Sequence, residues 1–598
     1  MTAPSEVSAG RLPPLRPAVA LGPRGALVLA VAVAAGAWIA HPIGLWAAVG
    51  VAGVAVGVRR PGLLVLAGAL AASSLGATAV AGLRPPPSGP VAGEATLVTD
   101  PEVAFGRVEV VARLDGRHVL LRAEGPAAEV VRVRQAGERV EVEGRLGPLP
   151  ARARWLRTRH VVAAVDVRDA RRGRPAAAPW RAAAHLRTLL VDGTEPLDDD
   201  ARALFLGIVL GDDRQQSVEV TDDFRGSGLS HLLAVSGQNV AFVLAVAAPL
   251  LRRLGLAGRV LGVALLLGLF ACLTRAEPSV LRAVAMALVA VVALARGRPT
   301  SSAQVLGLAV AALVLLDPLL VRTLGFQLSV AATAGIVLLG PRLHAALPGP
   351  PALTLPLAAS AAAQVGVAPL LVTVLDGLPV ASLPANVLAA PAAALVMTWG
   401  LPAGLLAGAL GDPWASALNA PTAAALAWLH GVARAAASVP LGEMGAPHLA
   451  VLVVVLVVAV AVSADGRRAR VVRPACGVAA LAVLAAPALA LSRPPAVVEP
   501  EPGVRVWRAE GGAVVVVRPG TGPTATLRAL RRAGVTRADV LVVGPGATAA
   551  DEERAARHRV RVGRTVWVDA DGTAPPVRAG RLVVDPGSGS VRLVGPAP

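Results

Sequence analysis

Long apolar runs separated by short polar connections make up most of the chain. Three runs, near residues 26–40, 43–58 and 62–83, come first, although the first two are short for a complete crossing of a bilayer. Later runs lie near residues 229–250, 257–273, 279–295, 303–316, 320–340, 353–374, 384–410, 421–437, 447–464 and 474–491. Runs of this length predict a polytopic α-helical membrane protein with about thirteen spans.

Two regions depart from this pattern. Residues 85–175 begin with a proline-rich linker, and the segments 107–114, 118–125 and 139–146 alternate apolar with polar positions. Alternation of this kind predicts strands, and therefore a small β domain. Residues 502–598 combine short apolar strands with two helical segments, which predicts a small α/β module.

An acidic stretch lies between the β domain and the second group of runs. We interpret residues 176–228 as an amphipathic helix followed by an acidic loop. A divalent cation could bind carboxylates here, but their spacing does not match an EF-hand, so helix capping and solvation are favoured. The carboxylates concerned are Asp198, Asp199, Asp200, Asp212 and Asp213.

Arginine clusters give the expected orientation. The net charge is +18 and comes from arginine, which attracts phosphates and anionic lipid headgroups alike. The positive-inside tendency places residues 1–24 in the cytoplasm, followed by transmembrane helices within 25–84, and leaves both the β domain and the tail outside. Further clusters at 59–60, 252–259, 296–298 and 467–473 then fall on the cytoplasmic side of a bacterial inner membrane.

Polar residues interrupt the apolar pattern at the start of the second group of runs. The segment 226–240 reads GSGLSHLLAVSGQNV and carries Ser230, His231, Ser236, Gly237, Gln238 and Asn239. Unsatisfied polar groups are costly in a bilayer, so these should face protein or water. A broken helix that lines a cavity is one interpretation, and close helix packing through small residues is the other.

Other polar residues recur within the polytopic block, residues 229–492. They are Arg282, Gln327, Ser329, Gln364 and Asn386. Arg282 could extend to the headgroups or, if buried, contact a phosphate. The amides could join helices to one another, but their recurrence in separate helices favours a shared polar path.

Several motifs in this order resemble the ComEC competence family. They are LGDDR (210–214), GLSHLLAVSGQNV (228–240), PSVLRA (278–283), DPLL (317–320), GFQLS (325–329) and the stretch from Gln364 to Asn386. The resemblance implies a multi-pass membrane channel that takes single-stranded DNA into the cytoplasm during natural transformation. It also implies an OB-like β domain, a DNA receptor and an ATP-driven helicase or motor as partners. A secondary transporter or lipid-handling protein is the alternative.

The chain departs from that family at two places. Gln238 and Asn239 stand where the family commonly has Leu-His, and the tail lacks the His-x-His-x-Asp-His cluster of metallo-β-lactamase-like hydrolases. We therefore expect a degenerate tail without nuclease activity, no catalytic residues, no cofactor and no bound metal. On the β domain, the candidate DNA contacts are Arg107, Arg113, Arg117, Arg122, Arg132 and Arg134, for which a solvated charged face is an equal alternative.

Overall fold

A computed structural model describes residues 21–593 except for short gaps. The gaps are 105, 234, 296–299, 375–376, 462–466, 493–494, 510–511, 570, 572–573, 580–581 and 586–589. Most of the expected cytoplasmic segment 1–24 and the arginine cluster at 296–298 therefore lie outside the described residues.

Three apolar helices open the described chain: α1 (Pro23–Ile39), α2 (Leu45–Gly57) and α3 (Pro61–Gly82). Proline stands at the first position of α1 and α3, where its missing N–H has no intrahelical acceptor to lose. A Cβ at Gly36 would overlap the backbone of Ala69, so glycine is what allows α1 and α3 to approach so closely.

The β domain is a closed barrel. Its strands are β1 (Gly89–Leu97), β2 (Glu102–Ala104), β3 (Arg107–Leu114), β4 (Arg117–Ala123), β5 (Arg139–Gly147) and β6 (Val161–Arg172), with α4 (Gly125–Arg132) between β4 and β5. The sheet order is β1-β5-β6-β4-β3-β2, and a further β1–β3 pairing closes the ring. Only the β4–β6 pair is parallel among these described strands. Inward-facing Val and Ala side chains, such as Val110, Val140 and Val165, fill the interior.

Three helices connect the barrel to the later apolar runs: α5 (Ala178–Gly193), α6 (Asp199–Leu210) and α7 (Val218–Gly226). Asp198 caps α6 through the amide of Ala201, in agreement with the favoured helix capping, but α6 and α7 occupy most of the expected acidic loop. Every residue of α6 from Ala203 to Leu210 is buried, so this helix belongs to the core of the polytopic block.

The polytopic block contains eleven more described helices. They are α8 (Gly237–Leu251), α9 (Leu256–Leu273), α10 (Pro278–Ala295), α11 (Ser302–Leu316), α12 (Leu324–Ala346), α13 (Pro351–Val374), α14 (Ser382–Leu395), α15 (Leu401–Leu410), α16 (Trp414–Ser438), α17 (Ala446–Ala461) and α18 (Arg467–Ser492). A π-helical turn, Val396–Gly400, joins α14 to α15. Short strands β7 (Leu378–Pro379) and β8 (Glu443–Met444) pair with each other.

Within the described residues, six helical segments are long and apolar enough to cross a membrane: Pro61–Gly82, Leu256–Leu273, Leu324–Ala346, Pro351–Val374, Ser382–Leu410 and Pro474–Ser492. Six shorter apolar helices accompany them. Large apolar side chains such as Leu265, Leu353 and Leu481 remain exposed on these helices, as expected for surfaces that face lipid. The chain is therefore a helical membrane protein.

The tail is a layered α/β unit. Its main sheet has the order β13-β12-β11-β10-β9, in which β11, β12 and β13 are parallel. The strands are β9 (Val497–Glu501), β10 (Val504–Ala509), β11 (Gly512–Val517), β12 (Arg537–Val543) and β13 (Arg561–Trp567). Helices α19 (Pro523–Arg532) and α20 (Ala549–Arg559) cover one face. A smaller sheet of β14 (Val577–Ala579), β15 (Leu582–Asp585) and β16 (Ser590–Leu593) packs on the other.

Candidate functional site

The polar motif at 226–240 is a turn that leads into a helix. The apolar run predicted a span from residue 229, but α8 begins only at Gly237, after a short 3-10 turn at Ser230–Leu232. Gly228 has φ +74°, and a Cβ there would overlap the side chain of Ser382 on α14. Glycine thus provides both the left-handed backbone and the close contact with α14.

Ser236 and Asn239 form a local hydrogen-bond chain at the start of α8. The Ser236 hydroxyl donates to Asn239 Oδ1 at 2.8 Å, and Asn239 Nδ2 donates to the backbone oxygen of Ile208 on α6 at 2.8 Å. Asn239 is buried. Two residues of the motif therefore attach α8 to α6, which accounts for their polarity through protein contacts.

Arg282 on α10 is buried beside this turn and retains only 7% of its surface exposed. Its Nε donates to the Ser329 hydroxyl on α12 at 2.7 Å, and its Nη1 lies 3.0 Å from the sulfur of Met286. Its Nη2 lies beside Gly237, where a Cβ would overlap it. No carboxylate in the described part of the chain forms an ion pair with this guanidinium.

The structure thus brings Ser236, Gly237, Asn239, Arg282 and Ser329 together. The remaining predicted residues are placed differently. Gln327 Nε2 donates to the backbone oxygen of Val321 in the preceding turn, at 2.8 Å. Gln364 on α13 has a buried Nε2 without a hydrogen-bond acceptor in the described residues. Asn386 on α14 is half-buried, whereas Ser230, His231 and Gln238 are exposed.

The six arginines predicted to contact DNA do not form one uniform patch on the barrel. Three of them are in ion pairs: Arg107 with Glu124, Arg122 with Asp166, and Arg134 with Glu138. The other three, Arg113, Arg117 and Arg132, are exposed. Arg113 and Arg117 share the β3–β4 hairpin, whereas Arg132 lies at the end of α4.

A buried ion-pair network joins the barrel to the polytopic block, and no local pattern in the sequence predicts it. Arg275, in the turn after α9, lies 2.8 Å from Asp100 in the loop after β1. Arg187 of α5 lies 3.3 Å from Asp100 and 2.5 Å from Asp212, which also accepts from Arg214 at 2.6 Å. The LGDDR motif therefore supplies Asp212 and Arg214 to a contact between domains.

This network lowers the pKa of both carboxyl groups. Burial by itself would raise the pKa of Asp212, but hydrogen bonds from Arg214 and the charge of Arg187 outweigh burial and lower it to about 2. The pKa of Asp100 is also lowered, because the charges of Arg275 and Arg187 overcome its burial. Both groups therefore carry negative charge at neutral pH.

A second contact joins the barrel to the block through the DPLL motif. His160 Nε2 lies 2.9 Å from Asp317 Oδ1, and Asp317 also accepts from the amide of Leu319 at 3.0 Å. The hydrogen bond with Asp317 raises the pKa of His160 above its ordinary value of 6.5, although burial opposes the shift.

We expect this raised pKa to make the contact weaken in alkaline solution. Its stabilising contribution is complete below about pH 6, where His160 is protonated in both states, and disappears as pH rises through the raised pKa. The measurement is hydrogen exchange of residues 317–323 between pH 6 and pH 9, corrected for the intrinsic rate. His160→Gln should remove the pH-dependent part, and an unchanged pH dependence in that variant would contradict the assignment.

The tail contacts the polytopic block through two adjacent carboxylates of α7. Asp222 accepts from Arg531 at 2.6 Å and from Arg559 at 3.2 Å, while Asp223 lies 3.1 Å from His558 Nε2. Both carboxylates are buried. They lie just before the polar motif in sequence, so one segment of the chain both contacts the tail and leads into α8.

The tail histidine therefore has a contact of its own. His558 lies against Asp223 of α7 and so contributes to the contact between the tail and the polytopic block. A cavity of about 490 Å³ lies along this interface, and Arg434, Glu443 and His448 are among its lining residues. Within the part of the chain that the structure describes, no group of three or more His, Cys, Asp or Glu side chains is placed to hold a metal ion.

Comparison with known proteins identifies the family of the polytopic block. Residues 208–468 match the family model described as Competence protein. The chain is also 32% identical over 145 residues to the Uncharacterized protein YcaI of Escherichia coli (strain K12), a match that spans 23% of this chain and 19% of that protein. No solved structure matches. Residues 208–468 of this membrane protein are thus a Competence domain of the ComEC type, whose family name associates it with DNA uptake.

Proposed function

We propose that this protein is a channel for the entry of single-stranded DNA into the cytoplasm. The observation that carries the proposal is the Competence match, which covers the helices that surround Arg282 and the turn before α8. A strand of DNA carries one negative charge per phosphate, and a polar, partly basic path through the membrane suits such a substrate without reading its bases. A DNA receptor outside and an ATP-driven helicase or motor inside would complete the pathway.

A topology of about thirteen spans follows if the shorter apolar helices and α16 also cross the membrane. Contacts along the chain support alternating directions. The end of α9, through Arg275, and the end of α11, through Asp317, both reach the barrel. Arginines follow α8, at Arg252 and Arg253, and stand at the start of α18, from Arg467, which supports a cytoplasmic position for both in an inner-membrane protein. The N-terminus would then be cytoplasmic, with the barrel and the tail outside.

The barrel would be the OB-like domain of this channel. Its closed order of β1, β3, β4, β6 and β5, with α4 preceding β5, supports that assignment, as does the parallel β4–β6 pair. Its exposed Arg113 and Arg117 are the better candidates for DNA contact, because Arg107, Arg122 and Arg134 are already paired with carboxylates. We propose that this hairpin is the part of the barrel nearest the incoming strand.

The tail would act as a binding or bracing domain without nuclease activity. Its βαβ units and its second sheet are compatible with a reduced metallo-β-lactamase-like fold, but the segment 541–555 carries no histidine. His558 is engaged with Asp223. Hydrolysis of the second DNA strand would then belong to a different protein, and incubation of the purified chain with duplex DNA and Mn²⁺ should release no nucleotides.

Deleting the gene in a transformable host should abolish entry of labelled DNA into the cytosol while leaving DNA binding at the cell surface unchanged. The measurement is nuclease-protected label in the cytosolic fraction, and the wild-type gene supplied on a plasmid should restore it. Unchanged cytosolic entry in the deletion strain would refute the channel. A parallel assay of lipid composition addresses the alternative that the protein handles lipids.

A further inference from the structure

The guanidinium of Arg282 is buried without a counter-charge. Its Nε is satisfied by Ser329, but Nη1 meets only the weakly accepting sulfur of Met286, and no hydrogen bond of Nη2 is found among the described residues. An ionised group removed from water in this way is destabilising unless an opposite charge accompanies it. Arg282 therefore needs a nearby negative charge, and the described protein atoms do not provide one.

The start of α8 adds a second, partial positive charge beside Arg282. An α-helix of fifteen residues begins at Gly237, beside Nη2, and its N-terminal end carries partial positive charge. The Ser236 side chain accepts no backbone N–H of the helix, and its hydroxyl donates to Asn239 Oδ1. A cation and a helix N-terminus repel each other, and an anion between them would remove that repulsion.

We propose that Arg282 and the first turn of α8 bind a phosphate group, which is a backbone phosphodiester of the passing strand. The assignment of the phosphate to DNA rests on the proposed channel function. A guanidinium offers paired N–H donors that match phosphate oxygens, and amides at a helix N-terminus add further donors. Gly237 has no side chain and so lets Nη2 lie against the first turn of α8, and Ser329 fixes the rotation of the guanidinium through Nε.

The first test measures binding in the purified full chain, kept in a maltoside detergent without added lipid. Sodium phosphate should raise the midpoint of thermal unfolding above that in sodium chloride of equal ionic strength. Arg282→Gln should abolish the difference. Gly237→Ala should reduce it although no charge is lost, because the new Cβ would displace Nη2. Arg342→Gln, which alters an exposed arginine of α12, should behave like the wild type.

The second test identifies the source of the phosphate. A fluorescent thymidine oligonucleotide should bind Arg282→Gln at least about tenfold more weakly, and the slope of log K against log salt should become shallower by about 0.7. An oligonucleotide with a neutral methylphosphonate backbone should not distinguish the two proteins. If phosphatidylglycerol gives the Arg282-dependent stabilisation and the oligonucleotide gives none, the strand assignment is refuted in favour of a lipid headgroup.

These outcomes separate the site from the channel. Equal stabilisation of the wild type and Arg282→Gln by phosphate would refute the site. The site would also be refuted if Arg282→Gln imported DNA at the wild-type rate in a host whose deletion strain imports none. The proposed channel function would not be affected by that result. Normal import in the deletion strain would refute the channel, whereas phosphate binding by the purified chain would still be measurable.

Discussion

Asp100→Ala is expected to release the β-barrel from the polytopic block. The replacement leaves Arg275 without a carboxylate partner and Arg187 with Asp212 alone, and the two arginine side chains are only 9% and 6% exposed. Removing one partner from a buried ionic group costs about 3–5 kcal/mol, because the remaining charge stays desolvated. Hydrogen exchange of residues 211–217 and 274–277, which the barrel contacts, should accelerate by about 100-fold or more.

A matched control on the same barrel is Asp169→Ala. Asp169 pairs with Arg171 at 2.8 Å, but both side chains are largely exposed, so its loss should cost no more than about 1 kcal/mol. Adding Arg275→Leu to Asp100→Ala should recover part of the protection, because it removes the charge that Asp100→Ala leaves unpaired. Wild-type protection in Asp100→Ala would contradict an energetic role for the network.

The network also has a predictable response to acid. Because the folded pKa of Asp212 is about 2, below its ordinary value of 3.8, the contribution of this carboxylate is complete above about pH 5. It decreases as pH falls through 4 and is lost near 2. The His160–Asp317 contact has the opposite dependence, since it is weakened by rising pH. Barrel attachment should therefore be strongest in mildly acidic solution.

The sequence was sufficient for elements with a strong local pattern. Alternation over 107–114 and 139–146 predicted strands that the structure places at Arg107–Leu114 and Arg139–Gly147. Helix α6 was missed because its apolar run is short and follows three aspartates, which resemble a solvated loop. Its burial depends on α5 and the helices around it, and that surrounding core is not encoded within its own twelve residues.

The candidate site was likewise predictable only in part. Polar residues in an apolar segment identified Arg282 and the turn before α8 as unusual, because their cost in a membrane is evident from composition. Their proximity was not predictable, since 45 positions separate Gly237 from Arg282 and helix packing alone determines which faces meet. The ion pairs of Asp100 and Asp222 were missed for a related reason: their arginine partners are distant in sequence and resemble ordinary surface charges.

Asp222→Ala is expected to detach the tail from the block. Arg559 and Arg531, with side chains 9% and 15% exposed, would lose the carboxylate that lies between them. The loss of docking free energy should again be about 3–5 kcal/mol, whereas Asp551→Ala, which breaks an exposed pair with Arg554 on the same tail, should cost no more than about 1 kcal/mol. The measurement is hydrogen exchange of residues 437–445 and of α20.

The His558–Asp223 pair makes the docking of the tail weaken as pH rises. The hydrogen bond with Asp223 raises the pKa of His558 above 6.5, against the effect of burial. Its contribution is therefore complete below about pH 6 and is lost as pH rises through the raised value. Wild-type protection of residues 437–445, corrected for intrinsic exchange, should decrease from pH 6 to pH 9, and His558→Gln should flatten that decrease while Asp222→Ala lowers protection throughout. If His558→Gln retains the wild-type pH profile, another group controls docking, and the Arg559–Asp222 pair would have to hold the tail without help from His558.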